Sequence, residues 1–195
     1  MREQDIKIAS LLILNLISRS PMGRYTMSIQ TNLSKAKVRS VLSRLKELNL
    51  VQTDGKSSGR RGTSLTDSGR ELLLQLGSTV EFYFNVDDLK MEFGTNEYCV
   101  AHIEMHTDLS VLDLRDTMVR HGAKGAIIVE WDAEHKMFVF PGDRSEFQLE
   151  SQLPIKKSGT LIIGFGENKG AVNFATCAVV LDILGEHIDQ FDTVN

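Results

Sequence analysis

Residues 35–72 read KAKVRSVLSRLKELNLVQTDGKSSGRRGTSLTDSGREL, and this stretch decides the architecture of the first half of the chain. Val38, Val41, Leu42, Leu45 and Leu48 recur at helical spacing, which predicts a helix from Lys35 to Asn49 with those side chains in a core. Ser34 supplies the oxygen that an N-cap needs. The opposite face holds Ala36, Ser40 and Ser43, with Lys35, Lys37, Arg39 and Arg44 around them. Small residues let a helix approach a duplex closely while long cations reach phosphates or base edges, so such a face suits a major groove. A plain solvated helix face carries the same residue types. After the helix, residues 50–53 read as a short strand, Asp54-Gly55 as a hairpin signal, GKSSGRRG as a loop and residues 63–65 as the return strand. Lys56, Arg60 and Arg61 lie among its glycines and serines. Glycine permits close backbone approach to a phosphate, and arginine gains from the concentrated potential of a narrow minor groove.

Upstream, residues 5–17 (DIKIASLLILNLI) place Ile6, Leu12, Ile13, Leu16 and Ile17 on one helical stripe, but Leu11 and Leu14 widen the apolar surface beyond one face. Such a helix is covered on more than one side, either by its own core together with a neighbouring domain or by a homodimer contact. Pro21 and Gly23 then break the chain before a short segment at residues 25–30 and a polar turn at Thr31-Asn32. Downstream of the hairpin, Thr66 can cap a helix whose Leu72, Leu73 and Leu76 return to the core.

The combination of the Val38 to Leu48 helix, Val51, the basic glycine loop and Leu65-Thr66-Asp67-Ser68-Gly69-Arg70-Glu71-Leu72 resembles the winged helix-turn-helix transcription regulators of prokaryotes. The resemblance spans about 70 residues and is more specific as a whole than any part of it. It implies sequence-specific binding of duplex DNA, with the helix over residues 35–49 in the major groove and the wing on the adjacent backbone.

Charge divides the chain in the same place. Residues 1–76 hold 13 Lys and Arg against 6 Asp and Glu, and the remainder 9 against 20, so a formal net charge of −4 conceals a basic first half and an acidic second half. A polyanion partner is therefore expected for the first half only. Two cysteines, Cys99 and Cys177, make no disulfide framework and fit a reducing cytosol. The most apolar stretch, residues 8–17, is too short to span a membrane and carries no leader pattern, so a cytoplasmic protein is expected.

Beyond Gly77 the reading is of short apolar runs to about residue 96, then a strand at 98–105, a helix at 109–121, strands at 125–131, 137–140 and 160–165, and a helix at 171–184. The expected fold class is α+β: an N-terminal winged helix-turn-helix domain (1–76) followed by a small layered α/β domain (77–195) with a mixed sheet. This order of parts, with Leu114-Arg115-Asp116, Gly122-Ala123-Lys124-Gly125-Ala126, Phe140-Pro141 and Gly164, resembles archaeal winged-helix proteins whose C-terminal domain has no assigned function.

Several features of this half invite a chemical reading. Cys99, His102 and His106 are spaced like metal ligands, but on a strand Cys99 faces away from the two histidines; His102, Glu104 and His106 share a face, for which an outward polar strand surface is the commoner outcome. Gly164 to Gly170 follows a strand and opens a helix, where backbone N–H groups and the helix dipole can hold an anion. Gly166, Asn168, Lys169 and Gly170 are thus the candidate effector residues, against the plainer reading of a tight glycine turn. Arg115 and Asp116 suit an internal ion pair or a dimer contact, and Trp131 half-buried strand packing. No nucleophile or acid/base pair stands in a recognisable arrangement, so no catalytic residue, metal or cofactor is expected.

The expectation for function is a transcription regulator, a homodimer with a possible small-molecule effector and no membrane attachment. It would bind duplex DNA through Lys35, Lys37, Arg39, Ser40, Ser43, Arg44, Lys56, Arg60 and Arg61. The rival is a protein-interaction module whose winged helix binds an acidic partner.

Overall fold

Helix α1 (Glu3–Arg19) buries nearly its whole middle, from Ile8 to Leu14 and again at Leu16 and Ile17. The elements that cover it follow in the computed structural model, which describes residues 2–53, 62–77, 79–84, 97–141, 146–147 and 155–185. Helices α2 (Arg24–Thr31) and α3 (Lys35–Glu47) pack on it and on each other, with Asn32 in the left-handed conformation (φ 54°) making the turn between them. Strands β1 (Val51–Thr53) and β2 (Thr63–Leu65) form an antiparallel hairpin, and Met22 bridges to Thr63 on its other side. Helix α4 (Asp67–Gly77) closes the first half. Leu72 is buried, and Leu73 and Leu76 are packed against the core.

The Leu-Thr-x-x-Gly pattern before α4 has a physical reason. The Thr66 hydroxyl accepts the Gly69 N–H at 3.0 Å and donates to the Asn49 carbonyl at 2.5 Å, while the Thr66 N–H bonds the Leu50 carbonyl at 3.1 Å. A Cβ on Gly69 would lie 2.1 Å from that same Leu50 carbonyl oxygen. The cap therefore docks α4 against β1, and only glycine fits the contact.

The second half is a single sheet with helices on one face. Strands β3 (Val80–Tyr83), β4 (Glu97–Ile103), β5 (Gly125–Asp132), β6 (Met137–Val139), β7 (Glu146–Phe147) and β8 (Gly159–Gly166) stand in the order β3-β4-β8-β5-β6-β7. Helices α5 (Val111–Arg120) and α6 (Lys169–Leu184) pack against it through Cys99, Ala101, Ile103, Ala126, Ile128 and Ile162. The opposite face holds a smaller apolar cluster of Val100, Val129, Phe138, Leu161 and Ile163. Among the described residues the fold is therefore α+β: six helices, a two-stranded hairpin and a six-stranded sheet.

One expectation is corrected. The sheet is not mixed, because every neighbouring pair is antiparallel. Strands β4 and β5, joined through α5, do run parallel, but β8 lies between them and pairs with both, for example Val100 with Ile163 and Ile163 with Ile127. A strand–helix–strand order in sequence does not reveal that a later strand enters the gap. For α1 the structure decides between the two readings of its wide apolar surface in favour of burial within the chain. Leu11 and Leu14 are 2% and 0% exposed within one chain, because α6 packs along the side that α2, α3 and α4 leave open. The wide apolar surface of α1 is thus filled inside the molecule and offers no dimer face.

Candidate nucleic-acid interface

Helix α3 is set by its cap and its core side. The Ser34 hydroxyl accepts the Lys37 N–H at 3.3 Å, and Val38, Val41, Leu42 and Leu45 are buried. That leaves Lys35, Ala36, Lys37, Arg39, Ser40 and Ser43 exposed, and Arg44 half-buried at the margin. The residues expected on the outer face are on it, and Ala36 is the single small apolar side chain among them. Lys35 extends over the Tyr25 ring, 5.0 Å from its centroid, so the first turns of α2 and α3 form one surface. Lys56, Arg60 and Arg61, the expected wing cations, lie outside the described residues.

Tertiary structure adds two cations that were not singled out in the sequence. Between α2, α3 and the hairpin lies a depression of about 320 Å³, lined by Gly23, Arg24, Arg39, Ser43, Lys46 and Thr53 among others. Lys46 donates to the Thr53 hydroxyl at 2.6 Å, which holds the ammonium at the foot of the hairpin. Its spacing of seven from Arg39 puts both on one side of α3, a legible signal. Arg24 had no such signal, since its place beside the hairpin depends on the Met22–Thr63 bridge, with N···O distances of 3.1 and 2.9 Å.

The expected effector residues are brought together, but they meet protein. The Asn168 side chain caps α6 by accepting the Ala171 N–H at 2.9 Å. A Cβ on Gly170 would lie 2.3 Å from the Ile29 carbonyl oxygen and 2.5 Å from the Asn32 nitrogen, so that glycine is the point where α2 lies on α6. The buried Asn173 donates to the Gln30 carbonyl at 3.0 Å just behind it. Gly166 faces the Lys124 backbone and Val172, and Lys169 stands 4.0 Å from Glu97. The glycines of this turn serve close packing, and the Asn168 side chain takes one of the N–H groups that an anion would need at the helix start.

Elsewhere in the second half, Cys99 faces α6, where burial pushes its thiol up to about 12 despite a hydrogen bond with Thr176. His102 is 2% exposed on the opposite face, not on an outward polar surface as expected. His106 pairs with Glu130 at 3.2 Å and Glu104 with Lys157 at 2.5 Å. Among the described residues no three His, Cys, Asp or Glu converge as metal ligands. Arg115 and Asp116 are both exposed on α5, with no ion pair among the described residues. Trp131 is half-buried against Phe138, with ring centroids 4.6 Å apart, as expected of strand packing. No described helix is long and apolar enough to cross a membrane.

No family model and no curated protein matches the chain. Among solved structures, it is similar to a hypothetical protein, PH0730, from Pyrococcus horikoshii OT3, with a TM-score of 0.75 over 94% of this chain and 95% of that one, at 21% identity. That likeness shows a shared fold across both halves. A second match is to BusR of S. agalactiae in complex with its busAB-promotor DNA, over 91% of this chain and 97% of that one, but its TM-score of 0.26 and 11% identity carry no argument.

Proposed function

We propose that the chain is a transcription regulator that binds duplex DNA through a winged helix-turn-helix formed by residues 1–76, with residues 77–195 as a regulatory domain. The observation that carries this reading is the outer face of α3: Lys35, Lys37 and Arg39 exposed around Ala36, Ser40 and Ser43, continued by Arg24 and Lys46 toward the hairpin. Cations on both flanks of α3, Arg39 with Arg24 and Lys46 toward the hairpin and Lys37 on the other side, with small side chains between them, can follow the phosphate backbones while the helix lies in the groove. Phosphate contacts from Lys35, Lys37, Arg39, Arg44 and the loop cations Lys56, Arg60 and Arg61 would supply most of the affinity, and Ser40, Ser43 and Arg39 part of the sequence choice. No catalytic residue, metal or cofactor is assigned, and the protein acts in the cytoplasm.

Homodimerisation remains part of the proposal, moved away from α1. Leu112 and Val119 are 68% and 55% exposed on α5, seven residues apart and therefore on one side, with Arg115 and Asp116 between them. Leu112→Glu would reduce a dimer mass in light scattering to that of one chain.

The rival reading, an acidic protein partner, has Tyr25 and Ile29 in its favour, exposed by 66% and 54% on α2 beside the basic ridge. Fluorescence anisotropy of the full chain on labelled duplex at several salt concentrations separates the two. Steep salt dependence, with a log–log slope that flattens by about 1 for each neutralised phosphate contact in Arg39→Gln or Lys46→Gln, supports the regulator. Absence of duplex binding at low salt removes it and leaves the protein partner.

A further inference from the structure

The turn between α2 and α3 does not end at the basic ridge. On its other side it borders a cavity of about 220 Å³ between the two halves of the chain. Its rim carries Lys37 from the first turn of α3, Asn32 from the turn itself, and Arg120 and His121 from the end of α5, over a floor that includes Phe174 of α6. Neither the Lys37 ammonium nor the Arg120 guanidinium has a side-chain partner among the described residues. The His121 ring lies against Phe174, with centroids 5.6 Å apart, and makes no hydrogen bond through its ring nitrogens there. Asp5 also lines the cavity, but Arg2 already engages its carboxylate through the backbone N–H and the guanidinium, both at 3.2 Å. Burial raises the Asp5 pKa, and the Arg2 bonds outweigh it and hold it below the usual carboxylate value. The unbalanced charge facing the cavity is positive.

We infer that this cavity is a binding site for a small oxyanion, either phosphate or a short dicarboxylate, held between Lys37, Arg120 and His121. Lys37 and Arg120, from different elements lining one cavity, can each reach such a group with a charge-assisted hydrogen bond. A neutral imidazole adds one more donor, since burial lowers the His121 pKa and keeps the ring uncharged near neutrality. The apolar ring of Phe174 suits the carbon chain of a dicarboxylate. The volume falls below the roughly 300–1,000 Å³ of pockets for drug-sized ligands, which favours a small anion over a nucleotide. An occupant would tie Lys37 to α5 and fix the α2–α3 turn against the second half. That consequence for α3 rests on the proposed DNA reading; the anion site itself does not.

The test is isothermal titration calorimetry of the full chain with sodium phosphate and, separately, with disodium succinate, using sodium chloride at matched ionic strength as the control. Saturable binding of phosphate or of succinate, absent with chloride, is the expected result, and which of the two binds identifies the source of the oxyanion. Arg120→Gln and Lys37→Gln each weaken it by at least about tenfold, the loss expected of a hydrogen bond to a charged group, while Arg115→Gln, exposed on the same helix, leaves it unchanged. No saturable binding of either anion overturns the inference, as does equal weakening by Arg115→Gln, which would mean diffuse screening. Because no DNA is present, anion binding without duplex binding would retain this site and remove only the proposed function.

Discussion

Helices α3 and α6 are of similar length and opposite character. In α3 only Val38, Val41, Leu42 and Leu45 are buried, and the remaining surface is mostly polar, with five cations and one anion, Glu47. In α6 every residue from Gly170 to Val180 is buried, because the sheet and α5 lie on one side and α1 and α2 on the other. A helix that is apolar all round must be enclosed, whereas one with a single apolar stripe leaves a free face. The difference teaches where the molecule keeps its stability and where it can meet a partner: α6 is the strut that joins the halves, and α3 is anchored along one side and presents the other.

Substitutions can break or sharpen that contrast. The largest effect is expected for Leu14→Ala in α1, whose side chain is fully buried; it should lower unfolding free energy by about 2–5 kcal/mol. Guanidinium unfolding, with a midpoint independent of protein concentration, is the check, and a loss that appears only on dilution would restore the dimer reading of α1. Gly170→Ala comes next, at about 1–3 kcal/mol, because its methyl would enter the backbone of α2. If the same titration shows no loss, α2 and α6 are not pressed together as described.

A pH effect follows from His102. Burial lowers its pKa more than Glu81 and Glu104 raise it, so the folded chain holds it neutral while the unfolded chain takes up a proton near the usual value of about 6.5. Stability from this group is complete above that pH and is lost as pH falls below it, by at most about 1.4 kcal/mol per pH unit for one proton. Unfolding midpoints between pH 7.5 and 5.5 should fall, and His102→Gln should flatten the decline.

Removing the helix caps probes the two helices directly. Asn168→Ala in α6 and Ser34→Ala in α3 should each cost about 1 kcal/mol, read as a shift in thermal midpoint. The smallest change is expected on the free face. Lys35→Gln and Arg39→Gln should alter stability by less than about 0.5 kcal/mol, so any change in duplex affinity measured on them reports the surface and not the fold.

The first half was largely legible because its signals are local. The spacing of Val38 to Leu45, the Ser34 cap and the Leu65 to Gly69 pattern each act within a few residues, and the exposed face of α3 follows from the buried one. In the second half, four strands and two helices lie close to their expected bounds, but β3 and β7 carried no strand expectation and the assembly was not legible. The Gly164 to Gly170 turn shows the limit. The sequence offers an anion site or a tight glycine turn there, whereas Gly170 is needed because the backbone of α2, at the carbonyl of Ile29, lies against it.

Periodicity, charge asymmetry and capping residues in the sequence alone therefore determined that the chain is α+β, that its basic first half carries a helix with a polar cationic face, and that α1 must be covered on several sides. The tertiary structure decided what covers it, placed β8 between β4 and β5, moved Arg24 and Lys46 to the foot of the hairpin and brought Lys37 to Arg120 and His121. The physical reason is range: hydrogen-bonded turns and helical stripes are fixed by neighbours in the chain, whereas strand order and the meeting of distant side chains follow from which apolar surfaces bury one another.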